Sequence, residues 1–348
     1  MRDHWYADYY ERDWLWIRGL GKFLFDNRDI HSEYFCYLVA DRYGCSHEAG
    51  SNILQAYTSA SEIPTLWACQ FYYPNCTDKP QFGATLLYGV WSGDGHPGAP
   101  GMLLWDGQYS QVDPTWIKPQ TQLVARGDFV DIVDYVSGNT KAKINPDQFT
   151  DILENNAKIL LESINRAATS VTRRLDEFNE LLLNMQAYHY MGLHLAEKTR
   201  ALLHMLRFLR HGNLKDYESG REHLINSLAH FMKQREISQR IYPNPDVDLI
   251  LQATVPAVRH DWDSLIPVMR DEIDNYDKYL IMVVMHLAAD RRNTEGTTIA
   301  LRDFFRRVTD GTVHVWRPWL SKDGKGYWNS DMSSSERVAL APEAFEVS

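Results

Sequence analysis

Large apolar side chains recur at helical spacing along most of the chain, and the places where that spacing fails mark its organisation. Residues 8–25 carry Trp14, Ile17, Leu20 and Leu24 on one stripe, widened by Trp16 and Phe23. That pattern predicts an amphipathic helix. Asn27 to Asp29 interrupt it. A second helix is predicted over 31–43, with Phe35, Leu38 and Val39 inward and Tyr43-Gly44 as its stop. Ser46 is placed to cap a third, running through Ile53, Leu54 and Tyr57, and Pro64 to open a fourth, through Trp67 and Phe71.

Over 73–145 the periodicity is lost. Pro74, Pro80, Pro97, Pro100, Pro114 and Pro119 fall there among many glycines. Trp91, Trp105, Trp116, Tyr88 and Tyr109 also fall there, so the stretch reads as a long ordered loop rather than a disordered linker. From Asn145-Pro146 the helical pattern returns, with Asn145 as cap and Pro146 in the first helical position. Phe149, Leu153, Leu160, Ile164 and Ala167 form its stripe.

After a break at 169–172, a long helix carries Leu175, Phe178, Leu182, Met185, Leu195, Leu202, Leu206 and Leu209, ending at His211-Gly212. Residues 214–241 predict the next, with Tyr217, Leu224, Leu228, Phe231 and Ile237, stopped by Pro243 and Pro245. Residues 263–289 predict another, with Leu265, Ile266, Met269, Ile273, Tyr276 and Leu280. The tail, 311–348, has short β-like pieces. The expected fold is mainly α: an antiparallel array of long helices, a long ordered aromatic-rich loop and a small β-like C-terminal tail. Four segments follow: 1–72 N-terminal helices, 73–145 loop, 146–310 long-helix bundle, 311–348 tail.

Composition narrows the function. With 348 residues and 44% hydrophobic residues, the chain can bury a core. A net charge of −10 supplies no basic stripe for phosphates, which argues against nucleic acid as a partner. The sequence has no apolar run of the roughly 18 residues that a membrane span needs. The beginning, Met1 to Tyr6, lacks the apolar core and cleavage site of a signal peptide. It runs at once into a dense aromatic segment, which suggests a chain cut from something longer, or else a native helix that packs early.

Eleven Trp remain to be explained. Trp and Tyr bury large areas and anchor loops, but their faces also stack on sugar C–H groups where polar side chains stand nearby. Both readings stay open for Trp14, Trp16, Trp91, Trp105 and Trp116.

Strong catalytic motifs are missing from the sequence. Gly93-Asp94-Gly95-His96-Pro97-Gly98 lacks the strand–turn–helix context of a phosphate loop. His189 and His194 lie five apart, His204 and His211 seven apart, and neither spacing makes a zinc motif. No metal or cofactor is expected. Asp8, Glu11, Asp13, Asp94 and Asp106 are candidates for the paired carboxylates of glycoside hydrolysis, or else acids solvated or paired with Arg12 and Arg18. Cys36, Cys45, Cys69 and Cys76 form no CxxC pair; they read as buried thiols, although Cys69 and Cys76 could close a short loop.

The segment from Tyr10-Glu11-Arg12-Asp13-Trp14-Leu15-Trp16-Ile17 through Gly19-Leu20-Gly21 to Asp26 resembles the stretch after the last barrel strand of large bacterial glycoside hydrolases similar to α-glucuronidases. Tyr37 to Gly44, Ala56 to Leu66, Glu180 to Arg210 with Glu197-Lys198, and His260-Asp261-Trp262 resemble later features of that helical region. The resemblance covers 5–290. It implies the C-terminal helical portion of a polysaccharide-active enzyme that buttresses an N-terminal barrel domain and lines one side of its sugar cleft. Catalytic residues would then lie outside this chain. An oligosaccharide or polysaccharide would be its partner, and a periplasmic or secreted location would follow. The residues expected on the sugar side are Trp14, Trp16, Glu11 and Tyr10, then Trp91 and Trp105. Two alternatives stand: a stand-alone, non-catalytic helical interaction or scaffold protein, and an all-helical polysaccharide lyase or hydrolase.

Overall fold

A computed structural model describes residues 11, 13–25, 32–70, 90–91, 97–99, 128–130, 132–136, 138, 144–211, 213–241, 262–274 and 276. Its helices are α1 (Trp14–Phe25), α2 (Ser32–Tyr43), α3 (His47–Gln70), α4 (Ile132–Val136), α5 (Pro146–Ala168), α6 (Leu175–His211), α7 (Leu214–Ile241) and α8 (Trp262–Asp274). A two-strand antiparallel ribbon, β1 (Val90–Trp91) with β2 (Pro97–Ala99), lies between α3 and α4 in the chain. The fold is mainly α. Among the described residues, no helix is long and apolar enough to cross a membrane.

Local signals fix the ends of these helices. Ser46 Oγ accepts the Ala49 N–H at 3.1 Å and starts α3. At α5, Asn145 Oδ1 accepts the Gln148 N–H at 2.8 Å while the Gln148 side chain accepts the Asn145 N–H at 3.0 Å. This is a reciprocal cap built on Asn, with Pro146 as the first helical residue. Gly44 ends α2 at φ +60°, a conformation that favours glycine.

The third and fourth helices expected from sequence are one helix, α3, with Pro64 inside it. Its buried stripe, Ala49, Ile53, Ala56, Ala60, Ile63 and Trp67, crosses Pro64 without a change of phase, so tertiary burial holds the helix together. Beside the proline, Thr58, Ser61 and Thr65 donate their hydroxyls to the carbonyls of Leu54, Thr58 and Ser61. A second difference is α4, a five-residue helix inside the stretch read as irregular. It is bracketed by an isolated parallel bridge between Phe129 and Ile144, and a helix this short leaves no periodic signature.

Two compact units divide the chain. The first comprises Met1–Ala68, Phe149–Ala196 and Ala229–Thr254. Here α2 and α3 form an antiparallel hairpin. A Cβ on Gly50 would stand 2.6 Å from the Cys36 carbonyl, so glycine permits the close approach. Antiparallel α5 and α6 share a core of Phe149, Leu153, Ala157, Leu160, Ile164, Phe178, Met185 and Leu195. Across that interface His189 Nδ1 donates to the Ala157 carbonyl at 2.8 Å. His194 is buried against Phe231, ring centroids 5.1 Å apart.

The second unit comprises Cys69–Gln148, Glu197–Leu228 and Val255–Ser348. Leu202, Leu206, Phe208, Tyr217, Leu224, Ile266, Met269, Ile273 and Tyr276 are buried in it. Asp147 accepts hydrogen bonds from Tyr135 at 2.8 Å and Arg207 at 2.7 Å. Lys198 is fully buried, and its Nζ has no hydrogen-bond partner among the described residues. Burial drives its pKa down, and the neighbouring Glu272 carboxylate only partly offsets that.

Along α1, Gly19 alone is buried. Leu20, Phe23, Leu24 and Phe25 are exposed, Leu24 at 77% and Phe25 at 96%. A Cβ on Gly19 would meet the Phe35 ring at 3.4 Å, so α1 approaches α2 through its glycine and leaves its large side chains on the flanks. Leu175 is also exposed at the start of α6. Cys36 is a buried free thiol, and Cys45 and Cys69 are half-buried free thiols. Several expectations lie outside the described residues: most of the 73–145 loop, the β-like tail, Cys76, Gly212, Pro243, Pro245 and the helix beyond 276.

Candidate functional site

In the first unit a cavity of ≈ 530 Å³ lies along α1. Leu15, Trp16, Gly19, Leu20 and Phe23 of α1 form one wall, and Phe35 of α2 with Leu54 and Tyr57 of α3 another. Its polar lining comes from Asp13, Thr58 and Ser61. Trp16 is 69% exposed, which leaves much of its surface open to a ligand. Thr58 and Ser61 spend their hydroxyl hydrogens on helix carbonyls, so they present acceptor lone pairs to the cavity.

A charged network stands behind Tyr57. Tyr57 is hydrogen-bonded to Tyr43, and burial pushes its pKa up to about 12, so the phenol stays neutral. Tyr43 donates its hydroxyl to Glu177 Oε1 at 3.1 Å. Arg42 grips the same carboxylate with two bonds, Nε to Oε1 at 2.6 Å and a terminal nitrogen to Oε2 at 3.0 Å. That terminal nitrogen also reaches Glu11 Oε2 at 2.8 Å. Arg174 bonds both acids, Glu177 at 3.0 Å and Glu11 at 3.2 Å. The Arg42 guanidinium lies 4.6 Å from the Trp14 ring centre, a cation–π contact.

Local folding supplies these positions. The turn before α6 docks on the end of α2, where the Thr172 and Arg173 N–H groups both donate to the Tyr43 carbonyl. Arg174 takes φ 50°, uncommon for a residue with a side chain, and its two ion pairs hold it there. Hydrogen bonding to Arg42 holds the Glu11 carboxyl below its ordinary range; slight burial opposes this, and Arg174 adds to it. Burial alone would lower the pKa of Arg42, but the bonds to Glu177 and Glu11 raise it. Two acids and two guanidiniums balance, so the network is a structural strut.

The residues expected to face sugar are thus distributed. Trp16 lines the cavity, Trp14 lies against Arg42, and Glu11 is held by two arginines. The acid beside the cavity is Asp13. Trp91 lies in β1, in the second unit. Tyr10 and Trp105 lie outside the described residues. Sequence reasoning missed Arg42, Arg174 and Glu177, which are separated from Glu11 by long stretches of chain and carry no motif. Thr58 and Ser61 were legible only as part of a Ser/Thr-rich helix. Among the described residues, no group of three or more His, Cys, Asp and Glu is placed to hold a metal ion.

No protein-family model matches the chain. No curated protein matches it by sequence either. Among solved structures it is similar to a GH138 enzyme targeting pectin rhamnogalacturonan II, with a TM-score of 0.58 and 17% identity over 78% of this chain. The match spans 38% of that enzyme's length. At this identity the likeness is one of fold: the chain has a helical architecture that also occurs within a glycoside hydrolase.

Proposed function

We propose that this chain is the helical portion of a polysaccharide-active glycoside hydrolase, similar to the α-glucuronidase-like barrel enzymes. It buttresses a catalytic barrel and lends the Trp16 side of α1 to the sugar cleft. The observation that carries this reading is the fold likeness to part of a pectin-targeting enzyme. The cavity adds support, since an exposed indole beside a carboxylate and two hydroxyl acceptors offers a sugar both a stacking face and hydrogen-bond partners. The exposed Leu24 and Phe25 supply apolar surface for a neighbouring domain. Catalysis then belongs to residues of the barrel.

Calorimetric titration of the chain with pectic oligosaccharides tests the reading. Weak binding is expected, reduced about tenfold or more in Trp16→Ala, which corresponds to about 1.4 kcal/mol. No release of reducing sugar is expected. Robust turnover by this polypeptide alone would place the active site within it and overturn the assignment. The exposed apolar residues of α1 also suit a second reading, a non-catalytic helical interaction protein. That reading predicts no oligosaccharide binding at all.

A further inference from the structure

Among the described residues that line the cavity beside α1, Asp13 alone carries a charge, and it is negative. Thr58 and Ser61 donate their hydroxyls to the Leu54 and Thr58 carbonyls, at 3.0 and 2.8 Å, and keep only lone pairs for a ligand. The Tyr57 phenol is hydrogen-bonded to Tyr43 and stays neutral. The rest of the lining is apolar, led by the rings of Trp16, Phe23 and Phe35. Cations of the same helices are engaged elsewhere. Arg42 is held by Glu177 at 2.6 Å and Glu11 at 2.8 Å, and Lys22 lies over the Tyr34 ring, 5.8 Å from its centre. Neither they nor Arg18 is among the lining residues.

A ligand carboxylate would meet a like charge and apolar surface here. Proteins hold carboxylates with Arg or Lys side chains or with converging N–H donors. Without such partners, taking one out of water is costly. Sugar hydroxyls fit the opposite way. Each can donate a hydrogen bond, and the cavity offers acceptors. The C–H faces of the ring match the exposed indole of Trp16.

Given the sugar-cleft reading above, on which this rests, we propose that the cavity selects uncharged sugar units over units that bear a free carboxylate. A polysaccharide rich in uronic acid would enter it through neutral or esterified units. Asp13 sets this selectivity by charge, and the aromatic rings set the affinity.

Trigalacturonic acid and its methyl ester are a matched pair of probes. Their linkages and ring stereochemistry are the same, and only the carboxyl groups differ. Calorimetric titration of the full chain with each, at neutral pH and low salt, is the test. The ester is expected to bind about tenfold more tightly or better, the size of the repulsion between like charges close together near a protein surface. Asp13→Asn removes the charge and keeps a residue suited to starting α1, where the Asp13 carbonyl accepts the Ile17 N–H at 3.0 Å. In that variant the ratio of the two affinities should fall towards one. In the wild-type chain, about 1 M salt should also shrink the ratio by screening. A preference for the shape of the ester alone would respond to neither change. Equal binding of the two oligomers, tighter binding of the free acid, or a ratio that Asp13→Asn leaves alone would overturn this selectivity while the sugar cleft stands. Binding of neither oligomer would also overturn it, because the ester carries the donors and C–H faces that the cavity requires. The sugar cleft itself falls only if the broader set of pectic oligosaccharides fails to bind as well.

Discussion

Replacing Arg42 by methionine keeps the aliphatic stem and removes the guanidinium that ties α2 to α6. Glu177, at 4% exposure, would keep Tyr43 and Arg174 but lose both of its contacts with Arg42, the shortest at 2.6 Å among them. Removing one partner of a buried pair costs about 3–5 kcal/mol, because the other charge stays desolvated. Two features pull in opposite directions. Arg174 remains to share the charge, which lowers the cost, while the loss of the Trp14 stack adds about 0.5–1 kcal/mol. The expected destabilisation is about 2–4 kcal/mol.

Urea denaturation followed by far-ultraviolet circular dichroism reads this as a shift of the midpoint. The paired change Arg42→Met with Glu177→Leu should recover more than half of the loss, since an apolar pair does not carry the desolvation penalty. The exposed pairs Lys158–Glu162 and Lys233–Glu236 serve as controls, each worth about 0–1 kcal/mol. A single-site cost below about 1 kcal/mol, with the two substitutions additive to within about 0.5 kcal/mol, would refute the strut.

Glu180 should make stability pH-dependent. Burial pushes its pKa from the ordinary 4.5 up to about 7. The folded chain therefore keeps a proton that the unfolded chain releases across that window. Wild-type stability should fall as pH rises from 4.5 to 7 and then level off. Glu180→Gln should match wild type at pH 4 and exceed it by about 1–3 kcal/mol at pH 8; a pH-independent gap would contradict this. Gly44→Ala should lower stability by about 1–2 kcal/mol through the left-handed backbone alone. Contact adds to that, because its Cβ would stand 2.7 Å from Arg173 Cγ. A thermal midpoint equal to wild type would contradict it.

Local signals were the legible part of this fold. Asn145-Pro146, Ser46 and Gly44 each act within one helical turn, and the stripe from Phe149 to Ala167 needs only its own period, so these elements could be read directly. Pro64 misled because a breaker's local preference is weaker than the burial of Ile63 and Trp67 on either side. The α1 stripe was legible only as a period. Periodicity shows that a helix has an apolar face, but what covers that face depends on its neighbours, and here it is Gly19 that lies against the Phe35 ring.

The candidate site was half legible. Trp16 declared itself by residue type, whereas Glu11, Arg42 and Glu177 come together only when three distant segments pack.

The central claim is that this helical array works beside a catalytic barrel in one polypeptide. The most direct test is to read the coding sequence upstream of Met1 in frame. A continuous open frame encoding a barrel of alternating strands and helices is the predicted result. An in-frame stop codon immediately ahead of Met1 would contradict the claim and favour the stand-alone helical protein.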